Sequence, residues 1–201
     1  MSRFLTILAL IFCVISTGVY ADQDLARGKF LVASEELRGP HFSETVILLL
    51  QYGETGAGGL IVNRPMEVTP AEAMPQLEGI DRYRGTLNWG GPVQVNTLRA
   101  LLNTDAPPEN ALQIVDAVHM VPLDENLGKG TPDSASLRFY VGYAGWSPGQ
   151  LEGELAHGSW HILPATAELV FAKDPGAIWQ KLVPKRQYRA AAEFVQLEPG
   201  Y

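Results

Sequence analysis

At 201 residues, 46% of them hydrophobic, the chain can bury one full core but offers no linker long enough to separate two domains. Acidic residues outnumber basic ones 22 to 15, which argues against a partner recognised through its phosphate backbone, since such binding relies on clustered Lys and Arg. The only Cys, Cys13, excludes an internal disulfide and a Cys-based zinc site.

Residues 1–21 differ from the rest. Met1-Ser2-Arg3 is basic, Phe4 to Ile15 is apolar and uncharged, and Val19-Tyr20-Ala21 leads into Asp22-Gln23-Asp24. A basic start, a short apolar run and small residues before an acidic exit predict a secretory signal peptide over 1–21, cleaved after Ala21. The apolar run is shorter than the roughly 20 residues of a spanning helix; an uncleaved leader acting as a membrane anchor is the alternative. Cleavage leaves one domain, 22–201, expected in the periplasm without stable membrane association.

Along the chain, Gly28–Ser34 reads as a strand. The continuous apolar run Thr45–Gln51 reads as a strand buried on both faces. The glycine cluster from Gly53 to Gly59 then predicts a long hairpin loop before a strand at Leu60–Asn63. Thr69-Pro70-Ala71-Glu72 has the residues of a capping box and opens a short helix that Pro75 ends. Thr86–Trp89 and Leu98–Leu102 are further strands, and Leu112–Val121 is read as one strand. Ser136–Tyr143 alternates, with Leu137, Phe139, Val141 and Tyr143 on one face. Ser147 is expected to cap a helix, with Pro148 at its first position, Gln150 reaching back, and Gly158 as its stop. Trp160–Leu163 is a strand. Helices are expected from Asp174-Pro175 to about Leu182 and over Arg186–Phe194. Lys181, Lys185, Arg186 and Arg189 form the densest basic patch, read as a solvated helix face. Strands and short helices mixed without regular βαβ units indicate an α+β fold.

Several motifs invite a chemical reading. Gly145-Trp146-Ser147-Pro148-Gly149 matches G-x-S-x-G between a strand and a helix. However, the oxyanion hole of a nucleophile elbow needs the N–H of the residue after Ser, and Pro148 has none. The glycines before Leu60 lead into a strand rather than a helix and lack a P-loop Lys, so they form a turn and not a phosphate cradle. His157 and His161 lack the Glu of an H-E-x-x-H motif, and His41 and His119 stand alone, so no metal site is expected. Glu152 and Glu154 project about 200° apart on a helix and cannot form one carboxylate pair. Gln150 and Glu154 share a face, and Trp146 can pack on Leu151. Asn63-Arg64-Pro65 places a guanidinium at the end of a buried strand. Arg64 is either an internal ion-pair anchor, with a Glu of the 152–154 helix as natural partner, or a ligand clamp.

Taken together, Phe30-Leu31-Val32-Ala33, Phe42 with Thr45-Val46-Ile47, the run from Gly56 to Pro65, Gly90-Gly91-Pro92-Val93-Gln94 and the run from Gly142 to Glu154 resemble the YqgE/AlgH family. Weaker matches follow at Trp160, Pro164-Ala165, Phe171, Pro175 and Trp179. The resemblance implies a single α+β domain with a bifurcated, barrel-like, mainly antiparallel sheet flanked by short helices. Some members carry a transcriptional-regulator label through genetic association with alginate control. It implies no reaction and supplies no catalytic residue. Two features depart from the family: the export-like leader, and the stretch Val95–Ala135, which follows the pattern poorly.

The resulting expectation is a non-enzymatic binding or regulatory domain that does not bind DNA directly, uses no cofactor or metal, and recognises a small molecule or a protein. Its candidate ligand-binding residues are Asn63, Arg64, Gly91, Pro92, Tyr143, Trp146 and Gln150, polar and aromatic groups beside glycines where a backbone can approach a ligand closely. The alternative is an enzyme acting on a small anionic substrate, with Arg64 as clamp and Glu152 or Glu154 as acid–base group.

Overall fold

The computed structural model describes residues 24–76, 80–123 and 136–184. The expected leader, the helix expected over Arg186–Phe194 and residues 124–135 of the divergent stretch lie outside these. The described strands are β1 (Lys29–Ala33), β2 (Val46–Gly53), β3 (Gly56–Ile61), β4 (Asn88–Trp89), β5 (Val93–Asn103), β6 (Leu112–Val115), β7 (Val118–Val121), β8 (Leu137–Trp146) and β9 (Trp160–Pro164). The helices are α1 (Pro70–Ala73), α2 (Gln150–Ala156), α3 (Ala167–Val170) and α4 (Ile178–Leu182). The strands hydrogen-bond in the order β6-β7-β5-β8-β3-β2-β1-β9, with β4 joined to β8 off this path.

β8 is where the sheet divides. Its first half, Leu137–Val141, pairs antiparallel with β5 and in parallel with β4, while Ala144–Trp146 pairs with β3. Gly142 separates the halves with φ +68, and a Cβ there would lie 2.3 Å from the Gly91 carbonyl oxygen. Only glycine accepts that approach in a left-handed conformation. The kink also breaks the expected alternation. Leu137, Phe139 and Val141 pack in one cluster, but Tyr143 packs with Tyr140 in another. The sheet then curls until the β6–β7 hairpin reaches the start of β1, where a Cβ on Gly28 would sit 2.6 Å from the Ile114 carbonyl oxygen. The α+β fold with a bifurcated, barrel-like sheet expected from the resemblance is therefore present.

β2 is buried on both faces over Val46–Leu50, as its apolar run predicts, and so is β1 over Phe30–Ala33. Phe30, Val32, Val46 and Leu48 point into the curled sheet, where α3 and α4 close one side through Val170 and Ile178. Leu31, Ala33, Ile47 and Leu49 point outward beneath α2, Trp146 and Trp160. A third cluster of Leu87, Ala100, Leu137 and Phe139 lies beneath the 3-10 turn at Ile80–Arg82. Each fully buried Leu or Ile contributes about 1.5–3 kcal/mol relative to exposure.

Other expectations need correction. The β2–β3 hairpin is tight, because Gly53 already pairs with Gly56 and only two residues turn. Gly56, Gly58 and Gly59 lie within β3, and a Cβ on Gly59 would meet Ile47 Cγ2 and the Leu48 oxygen at 2.7 Å. Leu112–Val121 is two strands around Asp116, whose φ of 47 reverses the chain. Helix α3 has no counterpart among the expected elements; Thr166 caps it by accepting from the Leu169 N–H.

Candidate functional site

The strand β3 runs out through Val62 into Asn63-Arg64-Pro65, and these residues hold the loop that precedes β2. Asn63 is buried; its Oδ1 accepts from the Val46 N–H at 2.8 Å and its Nδ2 donates to the Glu44 carbonyl at 2.9 Å. Arg64 donates to the carbonyls of Pro40 at 3.2 Å and Ser43 at 2.9 Å. Between these anchors Glu44 adopts φ 55, a left-handed conformation that a non-glycine residue holds only when its surroundings impose it.

The Arg64 guanidinium lies over the Trp89 ring, 5.2 Å from its centroid, and the exposed His41 ring is 5.8 Å from the same indole. Pro40, His41, Asn63, Arg64, Pro65 and Trp89 line an open groove of about 550 Å³. Partial burial lowers the Arg64 pKa and the charge of Glu44 opposes that shift; the group stays cationic at any physiological pH. Among the described residues no carboxylate comes within ion-pair distance of it. The expected Glu partner from α2 is thus replaced by backbone carbonyls, which hold the guanidinium in place, while Glu44 acts on its charge from outside ion-pair contact.

Both glutamates of α2 are engaged elsewhere. Glu154 Oε2 accepts from the indole N–H of Trp146 at 2.9 Å and of Trp160 at 2.8 Å, while Oε1 accepts from Gln150 Nε2 at 3.0 Å. Glu152 accepts from the Tyr52 hydroxyl at 2.7 Å. That bond, with a backbone bond in support, holds its carboxyl below the usual range.

Ser147 does not cap α2. Its N–H donates to Gln150 Oε1, which is the expected reach-back, but the cap position falls to Gly149 at φ 76, with no side-chain bond. The left-handed glycine delays the helix by two residues, so Pro148 precedes it instead of opening it. No nucleophile elbow forms.

The seven candidate residues do not share one surface. Asn63 and Arg64 belong to the groove. Trp146 and Gln150 meet at Glu154, and connect to the groove through Phe42, which stacks 6.4 Å from Trp146 and contacts His41. Gly91 packs its backbone on that of Tyr143, where a Cβ would meet the Tyr143 carbonyl carbon at 2.3 Å, and Pro92 follows it into β5. Tyr143 faces the other cluster, with Arg99 4.4 Å above its ring. Trp89 and His41 join the site without any signal in the sequence. An isolated Trp at a strand end and a lone His carry no pattern; only the fold brings them to Arg64. Among the described residues no group of three or more metal-ligating side chains forms, and no helix is long and apolar enough to cross a membrane.

Comparison with known proteins bears on all of these elements. The AlgH-like family model matches residues 30–190. A UPF0301 protein of Chlorobaculum tepidum is 36% identical over 163 residues, 79% of this chain and 86% of its own. A UPF0301 protein of Chlamydia muridarum is 32% identical over 162 residues, 79% of this chain and 85% of its own. The solution structure of the AlgH protein from Pseudomonas aeruginosa superposes with a TM-score of 0.62 at 28% identity, covering 77% of this chain and 84% of that one. A crystal structure of a Corynebacterium diphtheriae protein gives a TM-score of 0.68 at 22% identity, covering 85% and 96%, which speaks to the fold alone. The chain belongs to the AlgH-like family, a family of unknown function.

Proposed function

We propose that this chain is a non-enzymatic binding or regulatory domain, acting without cofactor or metal, that takes an anionic small molecule or a carboxylate offered by a protein partner in the Arg64 groove. The observation that carries this reading is the Arg64 guanidinium, fixed by two carbonyls and an indole face and lacking an ion-pair partner among the described residues. A fixed fork loses little freedom when it binds a carboxylate through two parallel hydrogen bonds. Trp89 offers an apolar wall and His41 a second polar group, and the groove's volume suits a small ligand.

Binding is favoured over catalysis because the carboxylates that acid–base chemistry would need are already committed. Glu154 accepts three hydrogen bonds, and Glu152, with its lowered pKa, is a poor proton donor at neutral pH. The acidic excess, a formal charge of −7, supports a role away from DNA. The leader supports action outside the cytoplasm by a mature chain starting at Asp22; intact-mass analysis of protein expressed with its leader checks this, and retention of Met1 overturns it.

A thermal-shift screen against anionic metabolites and nucleotides, run beside Arg64→Ala, tests the groove. A ligand at 100 times its Kd stabilises by about 2.7 kcal/mol, which is roughly 5–10 °C for a domain of this size. The expected result is a shift that disappears in Arg64→Ala while the unliganded Tm stays near that of the parent. A shift unchanged in the variant overturns the groove as the site. An absence of shifts, with the variant strongly destabilised, makes Arg64 a structural anchor only.

A further inference from the structure

A second guanidinium, on the opposite side of β4, presents a different opportunity. Arg138 sits at a position in β8 that alternation would assign to solvent, yet its side chain crosses to the end of α3. There it donates to the carbonyls of Val170 and Ala172 and lies 5.5 Å from the centroid of the Phe171 ring. It lines a cleft of about 1060 Å³ built, beside Pro65, from five further segments of the chain. These are the Tyr83–Thr86 loop, β4, the end of β5, β8, and the segment running from α3 to α4.

Three observations give the cleft a chemical preference. First, the two carbonyl bonds occupy only two of the five guanidinium N–H groups, and among the described residues no carboxylate reaches ion-pair distance of Arg138. Second, the neighbouring groups are polar and largely neutral. Asn88 and Asn103 line the wall, Thr86 stands at the opening, and Tyr83 contributes a phenol that burial keeps protonated, its pKa pushed up to about 12. Third, the rim carries Lys173 and Lys181 against Glu168 and Asp174, all exposed. With Arg138 the cations exceed the carboxylates by one. Such a balance suits a single negative charge better than a dianionic phosphate, and the two rim acids favour a ligand that also carries an amino group.

Two residues along β8 from Arg138, behind the cleft lining, Tyr140 is fully buried and its hydroxyl meets no acceptor among the described residues. It is close enough to Arg138 for that charge to oppose the effect of burial on it.

We infer that the cleft is a binding site for a small monocarboxylate, of the amino-acid or oxo-acid class, with Arg138 receiving the carboxylate and Lys173 and Lys181 guiding it from the rim. This site is distinct from the Arg64 groove, and its success or failure leaves that reading untouched.

The test is isothermal titration of the whole protein with the standard amino acids and a set of 2-oxo and 2-hydroxy monocarboxylates, with inorganic phosphate and chloride alongside. At least one monocarboxylate is expected to bind saturably. Its affinity should fall about tenfold or more in Arg138→Gln, because a desolvated charge pair is broken. Because Arg138 also holds α3, that variant is paired with the rim variant Lys181→Glu, which should weaken binding about threefold, an effect that fades in high salt. Arg64→Ala should change neither value. No binding in the panel overturns the proposal, as does binding by phosphate alone. A bound carboxylate whose affinity Lys181→Glu leaves unchanged overturns it too, even if Arg138→Gln fails to fold.

Discussion

Glu154 shows how a residue that invites a catalytic reading serves the fold. Trp146 and Trp160 are nearly buried, and burial obliges each indole N–H to find an acceptor. One carboxylate oxygen supplies both acceptors. Glu154→Ala therefore leaves two donors unsatisfied at about 1–3 kcal/mol each, and urea unfolding should show a loss of about 2–4 kcal/mol. Glu154→Gln keeps an oxygen and should lose clearly less; equal losses would mean that negative charge rather than acceptor geometry is what the indoles require. The pairing itself is hidden in the sequence. Helical spacing puts Gln150 and Glu154 on one face, but Trp160 lies beyond the helix and only the return of β9 brings its indole to the same oxygen. Arg138 is hidden for a related reason: a charged residue alternating with Leu137 and Phe139 reads as solvent-facing, and nothing local reveals that α3 covers that side.

The elements legible in the sequence alone are those set by local rules. β1 and β2 follow from apolar runs, α1 from Thr69 and Glu72, whose reciprocal capping bonds are both present, and the end of α2 from Gly158. The errors arise where a glycine answers to a distant neighbour. Gly59 reads as a loop residue but is a strand residue cleared for Ile47 and Leu48, and Gly142, which carries no local mark, resets the facing of β8. These roles can be separated by mutation. Gly142→Ala adds a Cβ in a left-handed conformation and drives it into the Gly91 carbonyl, whereas Gly149→Ala meets the same conformational penalty in open space. Gly149→Ala should cost about 1–2 kcal/mol, and Gly142→Ala should exceed it by a further ~1–3 kcal/mol as overpacking is added. Chemical denaturation of the two variants checks the ranking; equal losses would mean that the Gly91–Val93 segment yields freely to the added methyl.

For the whole molecule, the ionisable groups predict how stability varies with pH. The carboxyls of Glu72 and Glu152 are held below their ordinary values, by the Thr69 backbone and by the Tyr52 hydroxyl respectively. Their contribution is present above the unfolded carboxylate pKa and is lost as pH falls through the folded values; both groups are exposed, so the acid limb should be shallow. Tyr83 and Tyr140 are pushed up to about 12 by burial. Folding favours their neutral forms, so stability is complete below the unfolded phenol value near 10 and declines as pH climbs toward the folded value. The Tm should accordingly be level across neutrality and drop steeply above about pH 10. Tyr140→Phe should soften that alkaline drop without lowering the Tm at pH 7, because its hydroxyl has no acceptor among the described residues. A marked loss at neutral pH would assign that hydroxyl a bond of its own. The two-residue strand β4 stands between the groove and the cleft, with Trp89 lining one and Asn88 the other, and Pro65 borders both. It acts as a shared partition. Were an occupant on one side to shift this partition, thermodynamic reciprocity would require each occupant to change the other's affinity by the same factor; with a rigid β4 the two sides stay independent.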